Sequence, residues 1–174
     1  MKALSLWQPH VLAIALGLKP WETRGWPTKY RGPLAFHAAL RPWKDRGLWR
    51  ELALEQLRKC LFPSAGEVER STSLCLINPW LIYGAVCLTA DLVDCVRTSE
   101  LRGKIPAREE FWGDFTDGED GEGRFAFKLE NVRVLRPAVP WRGMQGFFEV
   151  SLDGKPIAQP VKPAQSLPLF EEMR

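Results

Sequence analysis

The chain has 174 residues, 45% of them hydrophobic and 26% charged, with a formal net charge of +3. That length fits one core-forming domain with a tail, and the composition excludes long disordered and collagen-like chains. No stretch approaches the ~20 apolar residues that a membrane-crossing helix needs, and a pI near 8.7 makes the distribution of charge more telling than its sum.

Residues 3–6 form a short strand candidate. Pro9 suits the first turn of a helix, and Val11, Leu12, Ile14, Ala15 and Leu16 continue it as an apolar segment. This segment is expected to belong to the fold rather than to act as a leader, because Gln8, Pro9 and His10 interrupt what precedes it and Lys19-Pro20 follows. Gly17 ends the helix in the left-handed conformation that glycine adopts without penalty. Pro20 then forces residues 21–24 to be extended or bent. Residues 34–38 read as a buried strand.

Residues 43–61 carry the clearest helical period, with Leu48, Leu52, Leu54, Leu57 and Leu61 at three- and four-residue spacing. Residues 81–92 form a long apolar run, a central strand. Phe125, Phe127, Leu129, Asn131, Arg133 and Leu135 alternate along one face of a further strand. A proline- and glycine-marked loop is expected over 137–146, and 147–152 is the last strand. From residue 153 onward Pro156, Pro160, Pro163 and Pro168 mark a flexible, proline-rich tail, leaving 1–152 as the domain. Short strands around one or two helices predict an α+β domain with a small mixed barrel.

Charge is patchy. Arg24, Lys29, Arg31, Arg41, Lys44, Arg46 and Arg50 make a basic stretch with Asp45 as its single acid. Asp114, Asp117, Glu119, Asp120 and Glu122 make an acidic, glycine-spaced run that reads as a solvated loop. Cys60, Cys75, Cys87 and Cys95 contain no C-x-x-C pair, and His10 and His37 do not supply zinc-finger spacing. Reduced thiols, a cytoplasmic location, no metal and no cofactor are expected.

The densest constellation is Gly17-Leu18-Lys19-Pro20-Trp21-Glu22-Thr23-Arg24, a G-x-K-x-x-E-x-R pattern. With Ser5-Leu6-Trp7-Gln8-Pro9, the segment 26–32, Leu129-Glu130-Asn131 and Pro140-Trp141-Arg142-Gly143-Met144-Gln145-Gly146, it resembles the ASCH family, relatives of the PUA domain. The resemblance covers most of residues 3–152. It implies a PUA-like β-barrel flanked by helices, with a cleft where the charged motif residues gather. It also implies a partner that is RNA, single-stranded DNA or a modified nucleoside, with no membrane partner. Some small family members hydrolyse the N4-acyl group of acetylated cytidine with the motif lysine, a threonine three residues later and a distant glutamate. Here Glu22 stands at the threonine position, and strand alternation turns the adjacent Thr23 to the opposite face.

In a regular strand Glu22 and Arg24 share a face, and Lys19 joins them only if the chain bends near Pro20. An ammonium, a carboxylate and a guanidinium together offer phosphate attraction, a base-edge acceptor and a bidentate or stacking group. The bland alternative is a structural Glu22–Arg24 ion pair with Lys19 in solvent. Lys19 and Glu22 are the catalytic candidates for the amidohydrolase alternative, as polarising cation and general base.

Tryptophan is over-represented at eight residues, and Trp7, Trp21, Trp26 and Trp141 flank the motifs, where their rings suit unstacked bases. Trp43 and Trp49 read as core-filling. Gln8, Asn131 and Gln145 offer paired donor and acceptor groups, Arg142 a phosphate contact, and His37 a buried imidazole that family position places near the cleft. In the tail, Gln165, Leu167, Leu169 and Phe170 resemble the short peptide with which bacterial DNA-processing proteins dock on the sliding clamp. That resemblance makes an adaptor the third alternative.

Overall fold

The computed structural model describes residues 1–41, 47–64, 77–116 and 123–152, and the backbone of 157–160. The elements in chain order are β1 (Lys2–Leu6), α1 (His10–Ala15), β2 (Trp21–Arg24), β3 (Gly32–Ala38) and α2 (Leu48–Leu61). A single 3-10 turn (Asn78–Trp80) leads to β4 (Ala85–Arg97), the short helices α3 (Thr98–Leu101) and α4 (Ala107–Glu110), β5 (Phe125–Pro140), β6 (Phe147–Glu149) and β7 (Ile157–Pro160). The class is α+β, as the pattern of short strands predicts. Among the described residues no helix is long and apolar enough to cross a membrane.

The strands make one sheet in the order β2-β5-β4-β3-β1-β6, with β7 also on β5. β1 and β3 are parallel and the other pairs antiparallel. β4 and β5 are long, and their register shifts between Val86 and Leu88, Thr89 and Asp91, and Leu92 and Asp94. Each bulge adds local twist and bend, so the sheet curls and its outer strands approach one another. An Arg24 Nη donates to the Ser5 carbonyl of β1 at 2.8 Å. Trp26 sets its ring edge-on to Phe127 of β5 and Phe147 of β6, with centroids 5.3 and 5.0 Å away. Side chains span the gap; among the described residues no backbone ladder joins β2 to β6.

Strand alternation divides the core. Leu4, Leu34, Phe36, Leu88 and Phe127 pack with Val11 and Ile14 of α1 on one face. Ala3, Ala35, Val86, Leu135 and Phe148 pack on the other. A second cluster joins the outer side of α1 (Leu12, Ala13, Leu16) to α2 and the fully buried Trp112. That cluster shows which face of α2 is buried. Ala53, Leu54, Leu57 and Leu61 point inward, whereas Leu48 and Leu52 are 70% and 47% exposed, off the face that the leucine spacing implies.

Three boundaries differ from expectation. β4 begins at Ala85, because the left-handed Gly84 (φ 66°) turns the chain between the 3-10 turn and the strand. β5 runs on to Pro140, through the stretch expected to be loop. Val86 pairs with Val139 and Leu88 with Val134, so the intervening residues bulge out and Pro137 meets no demand for a ladder N–H. The alternation within β5 also breaks at Asn131, whose φ of 51° is left-handed, leaving Asn131 and Arg133 exposed rather than buried with Phe127 and Leu129. The segment read as tail contributes β7, which pairs Arg133 with Pro160 and Leu135 with Ile157.

Candidate functional site

The site begins where α1 stops. Gly17 takes φ 70°, and the N–H groups of Leu18 and Lys19 both turn back to the Ala13 carbonyl at 2.9 and 3.3 Å. Pro20 then enters the sheet, its carbonyl accepting the Leu129 N–H at 2.9 Å. This fold-back carries Lys19 across to the β2 side chains. Lys19 Nζ lies 3.2 Å from Glu22 Oε2, and Arg24 Nε lies 3.3 Å from Glu22 Oε1. One carboxylate therefore serves two cations. Lys19 also donates to the Trp112 carbonyl.

Lys19 is only 2% exposed and Glu22 6%. Removing both from water costs several kcal/mol per ion, offset only where partners are close and well aligned. Burial pushes the Lys19 ammonium below the usual lysine range; Glu22 opposes that shift, and the like charges of Arg24 and Arg124 add to it. His10, at the start of α1, faces the same group of charges. Burial, with the Lys19 and Arg24 charges adding to it and Glu22 opposing, lowers its pKa to about 4, so the imidazole is neutral at pH 7.

These residues floor a cleft of about 950 Å³. Trp7, His10, Trp49 and Phe111 supply aromatic surface, and Arg41, Asp114 and Arg124 supply charge. Trp49 stacks on Phe111 (5.7 Å, 16°), lies 5.4 Å from the His10 ring, and donates its indole N–H to the Phe111 carbonyl at 3.2 Å. It packs on the second core cluster and also faces the cleft, so core filling is only part of its role. Trp7 is 65% exposed at the mouth. Thr23 is in the wall too, contrary to strict alternation, with its hydroxyl accepting the Asp114 N–H at 2.9 Å. Asp114, expected in a solvated loop, lies 3.4 Å from Arg124 Nε at the rim.

No protein-family model matches the chain, and no curated protein matches it. The site is therefore defined by its own geometry.

Of the residues singled out in the sequence, the cleft brings together Trp7, Gln8, Lys19, Glu22 and Arg24. Gln8 is committed internally, its amide donating to the Ile82 carbonyl at 2.8 Å and accepting from the Leu12 N–H at 3.2 Å. Trp21 lies in a small cluster with Phe115 and Ala126, and Trp26 packs on the main core. His37 is held at both nitrogens. Its Nε2 faces the Trp141 carbonyl at 3.0 Å and so carries the proton, leaving Nδ1 to accept from the Ser5 hydroxyl at 3.1 Å. Asn131 donates to Asp91 at 2.8 Å on the surface, and Trp141 packs on the core cluster that holds Phe148. Arg142 and Gln145 are exposed and, like Asn131, Trp141, His37, Trp21 and Trp26, do not line the cleft. Gln165, Leu167, Leu169 and Phe170, and Trp43, lie outside the described residues.

His10, Arg41, Trp49, Asp114 and Arg124 line the cleft without having been singled out for it. Only His10 carried a local signal, standing next to Gln8-Pro9. Arg124 and Asp114 arrive through long-range pairing of β2 with β5 and the Thr23–Asp114 hydrogen bond. Among the described residues no group of three or more His, Cys, Asp or Glu is placed to hold a metal ion.

Proposed function

We propose that the chain is an ASCH-type, PUA-like module of the cytoplasm that binds RNA, single-stranded DNA or a modified nucleoside in this cleft. The supporting observation is the fold-back at residues 17–20, which puts a buried ammonium, a carboxylate and a guanidinium on one floor beside exposed indole surface. Such a floor supplies both donors and an acceptor to a base edge, and each base stacked on an aromatic ring contributes ~1–3 kcal/mol. The curl of the sheet, the Arg24 bond from β2 to β1 and the packing of Trp26 on Phe147 of β6 favour the PUA-like barrel as its architecture.

The test is a tryptophan-fluorescence titration with single-stranded RNA, single-stranded DNA and N4-acetylcytidine. Lys19→Ala and Arg24→Ala are expected to weaken binding at least several-fold and to flatten its salt dependence. Unchanged titrations for both variants, with folding verified by circular dichroism, reject the assignment.

One observation favours a second reading, an amidohydrolase acting on N4-acylated cytidine. Glu22 stands 3.2 Å from Lys19 Nζ, which sets a carboxylate able to accept a proton from water beside an ammonium able to polarise an acyl oxygen. Glu22 replaces the threonine of the hydrolytic members, so the nucleophile of this reading would be water. Release of cytidine from N4-acetylcytidine, lost in Glu22→Gln, supports the enzyme. Quenching without turnover supports the binder.

A further inference from the structure

The charges around the cleft do not balance. Lys19, Arg24, Arg41 and Arg124 line it, against the carboxylates of Glu22 and Asp114. Glu22 is already shared between Lys19 and Arg24. Asp114 accepts from both the N–H and the hydroxyl of Thr116, at 3.1 and 2.6 Å, as well as lying near Arg124. Arg41 is exposed and makes no ion pair with another described residue. Among the described residues two positive charges are left over. Lys19, Arg24 and Arg124 are close enough to act on one another, since Arg124 depresses the pKa of both Lys19 and Arg24.

Hydrogen bonding shows the same deficit. Arg24 Nε and Arg124 Nε are buried guanidinium nitrogens that reach Glu22 and Asp114 as ion pairs at 3.3 and 3.4 Å without hydrogen-bond geometry. His10 Nδ1 is buried with no hydrogen-bond partner among the described residues, and all three residues line this cleft. Buried donors without acceptors are costly, and native proteins leave few of them. Two of the three are guanidinium N–H groups, whose fork geometry matches the oxygens of a phosphate.

Building on the nucleic-acid reading above, we propose that the cleft recognises a terminal phosphate monoester of a nucleotide, held by Arg24, Arg124 and Arg41, with the base against Trp7 and Trp49. Charge sets the class of ligand. A phosphate monoester, with a second pKa of about 6, is close to a dianion at neutral pH and matches the surplus. An internal phosphodiester brings one charge and an unphosphorylated nucleoside none. Size agrees, because about 950 Å³ lies within the range of small-molecule sites, ~300–1,000 Å³.

Isothermal titration of the full chain with adenosine, cytidine, their 5′- and 3′-monophosphates and inorganic phosphate tests the proposal. A monophosphate is expected to bind about tenfold or more tightly than its nucleoside, the gain from charge-assisted hydrogen bonds. Inorganic phosphate alone should compete for the site. In Arg124→Gln the ratio of the two affinities should fall toward one. Arg41→Gln, at an exposed position that does not endanger folding, should lower the same ratio. Oligonucleotides with and without a 5′-phosphate separate a free nucleotide from a strand end. Equal affinity for phosphorylated and unphosphorylated oligonucleotides, together with equal affinity for nucleoside and monophosphate, overturns the proposal and leaves the nucleic-acid reading standing. Absence of binding by every nucleoside, nucleotide and oligonucleotide overturns both.

Discussion

Replacing Glu22 with glutamine keeps the shape of the cleft floor and removes its central charge. In the native protein that carboxylate lies 3.2 Å from Lys19 and 3.3 Å from Arg24, and Lys19 has almost no contact with water. The variant leaves a buried ammonium with the Trp112 carbonyl and a neutral amide as partners. Breaking a buried pair on one side costs about 3–5 kcal/mol. At about 2–4 °C per kcal/mol for a chain of this size, the melting temperature should drop by about 6 to 20 °C at pH 7. The pH dependence identifies the cause. Lys19 is already below its ordinary pKa through burial, and loss of Glu22 removes the main opposing influence, so its folded pKa falls further below the unfolded value. The unfolded chain then binds more protons between those two values, and stability rises with pH across that window. The deficit of Glu22→Gln should therefore shrink between pH 7 and pH 10. Adding Lys19→Met should recover part of the loss, since no buried ammonium remains. Urea unfolding followed by tryptophan emission at several pH values measures all of this. A loss under about 1 kcal/mol at pH 7, the size typical of an exposed pair, or a deficit that does not change with pH, refutes the reasoning.

Three further outcomes are expected. Trp7→Ala should leave stability within about 0.5 kcal/mol, because the ring is largely exposed, yet weaken base binding by about 1–3 kcal/mol; a melt and a titration on one sample check both. The His10 imidazole, held near pKa 4 by burial and the Lys19 and Arg24 charges against Glu22, should titrate at higher pH when an anionic ligand fills the cleft, because added negative charge favours the imidazolium. NMR titration with cytidine 5′-monophosphate against cytidine reads the shift, and equal values with both ligands would contradict it. Gly143→Ala should destabilise by about 1–3 kcal/mol through overpacking. A Cβ there would stand 2.6 Å from both His37 Nδ1 and Ser5 Oγ, which hold one another in place; an unchanged melting temperature would contradict this.

The local parts of the site are legible in the sequence. A glycine and a proline three residues apart encode the reversal after α1, and the spacing of Lys19, Glu22 and Arg24 makes sense only once that reversal is assumed. The α+β class followed from strand length and alternation. Features that depend on distant partners were not legible. Trp49 looked like filler because nothing in its own helix shows that Phe111 and His10 will flank it. Arg124 and Asp114 reach the rim through pairing over about a hundred residues, which no local period encodes. Leu48 and Leu52 fit a helical repeat but miss the buried face, because leucines three and four apart occur on more than one stripe of α2. Pro137 looked like the end of a strand, whereas a bulge lets β5 carry it. Trp26, Trp141 and His37 are near the motifs in sequence, and the curl of the sheet turns them into packing instead of the cleft.

The bond from Arg24 to the Ser5 carbonyl gives one guanidinium two employments. It latches the outermost strand to the first, and it belongs to the floor that a ligand must engage. Any ligand that draws it inward unfastens β2 from β1, so occupancy of the hollow should register as faster amide exchange along residues 21–24. A ligand that leaves the latch closed should instead slow it.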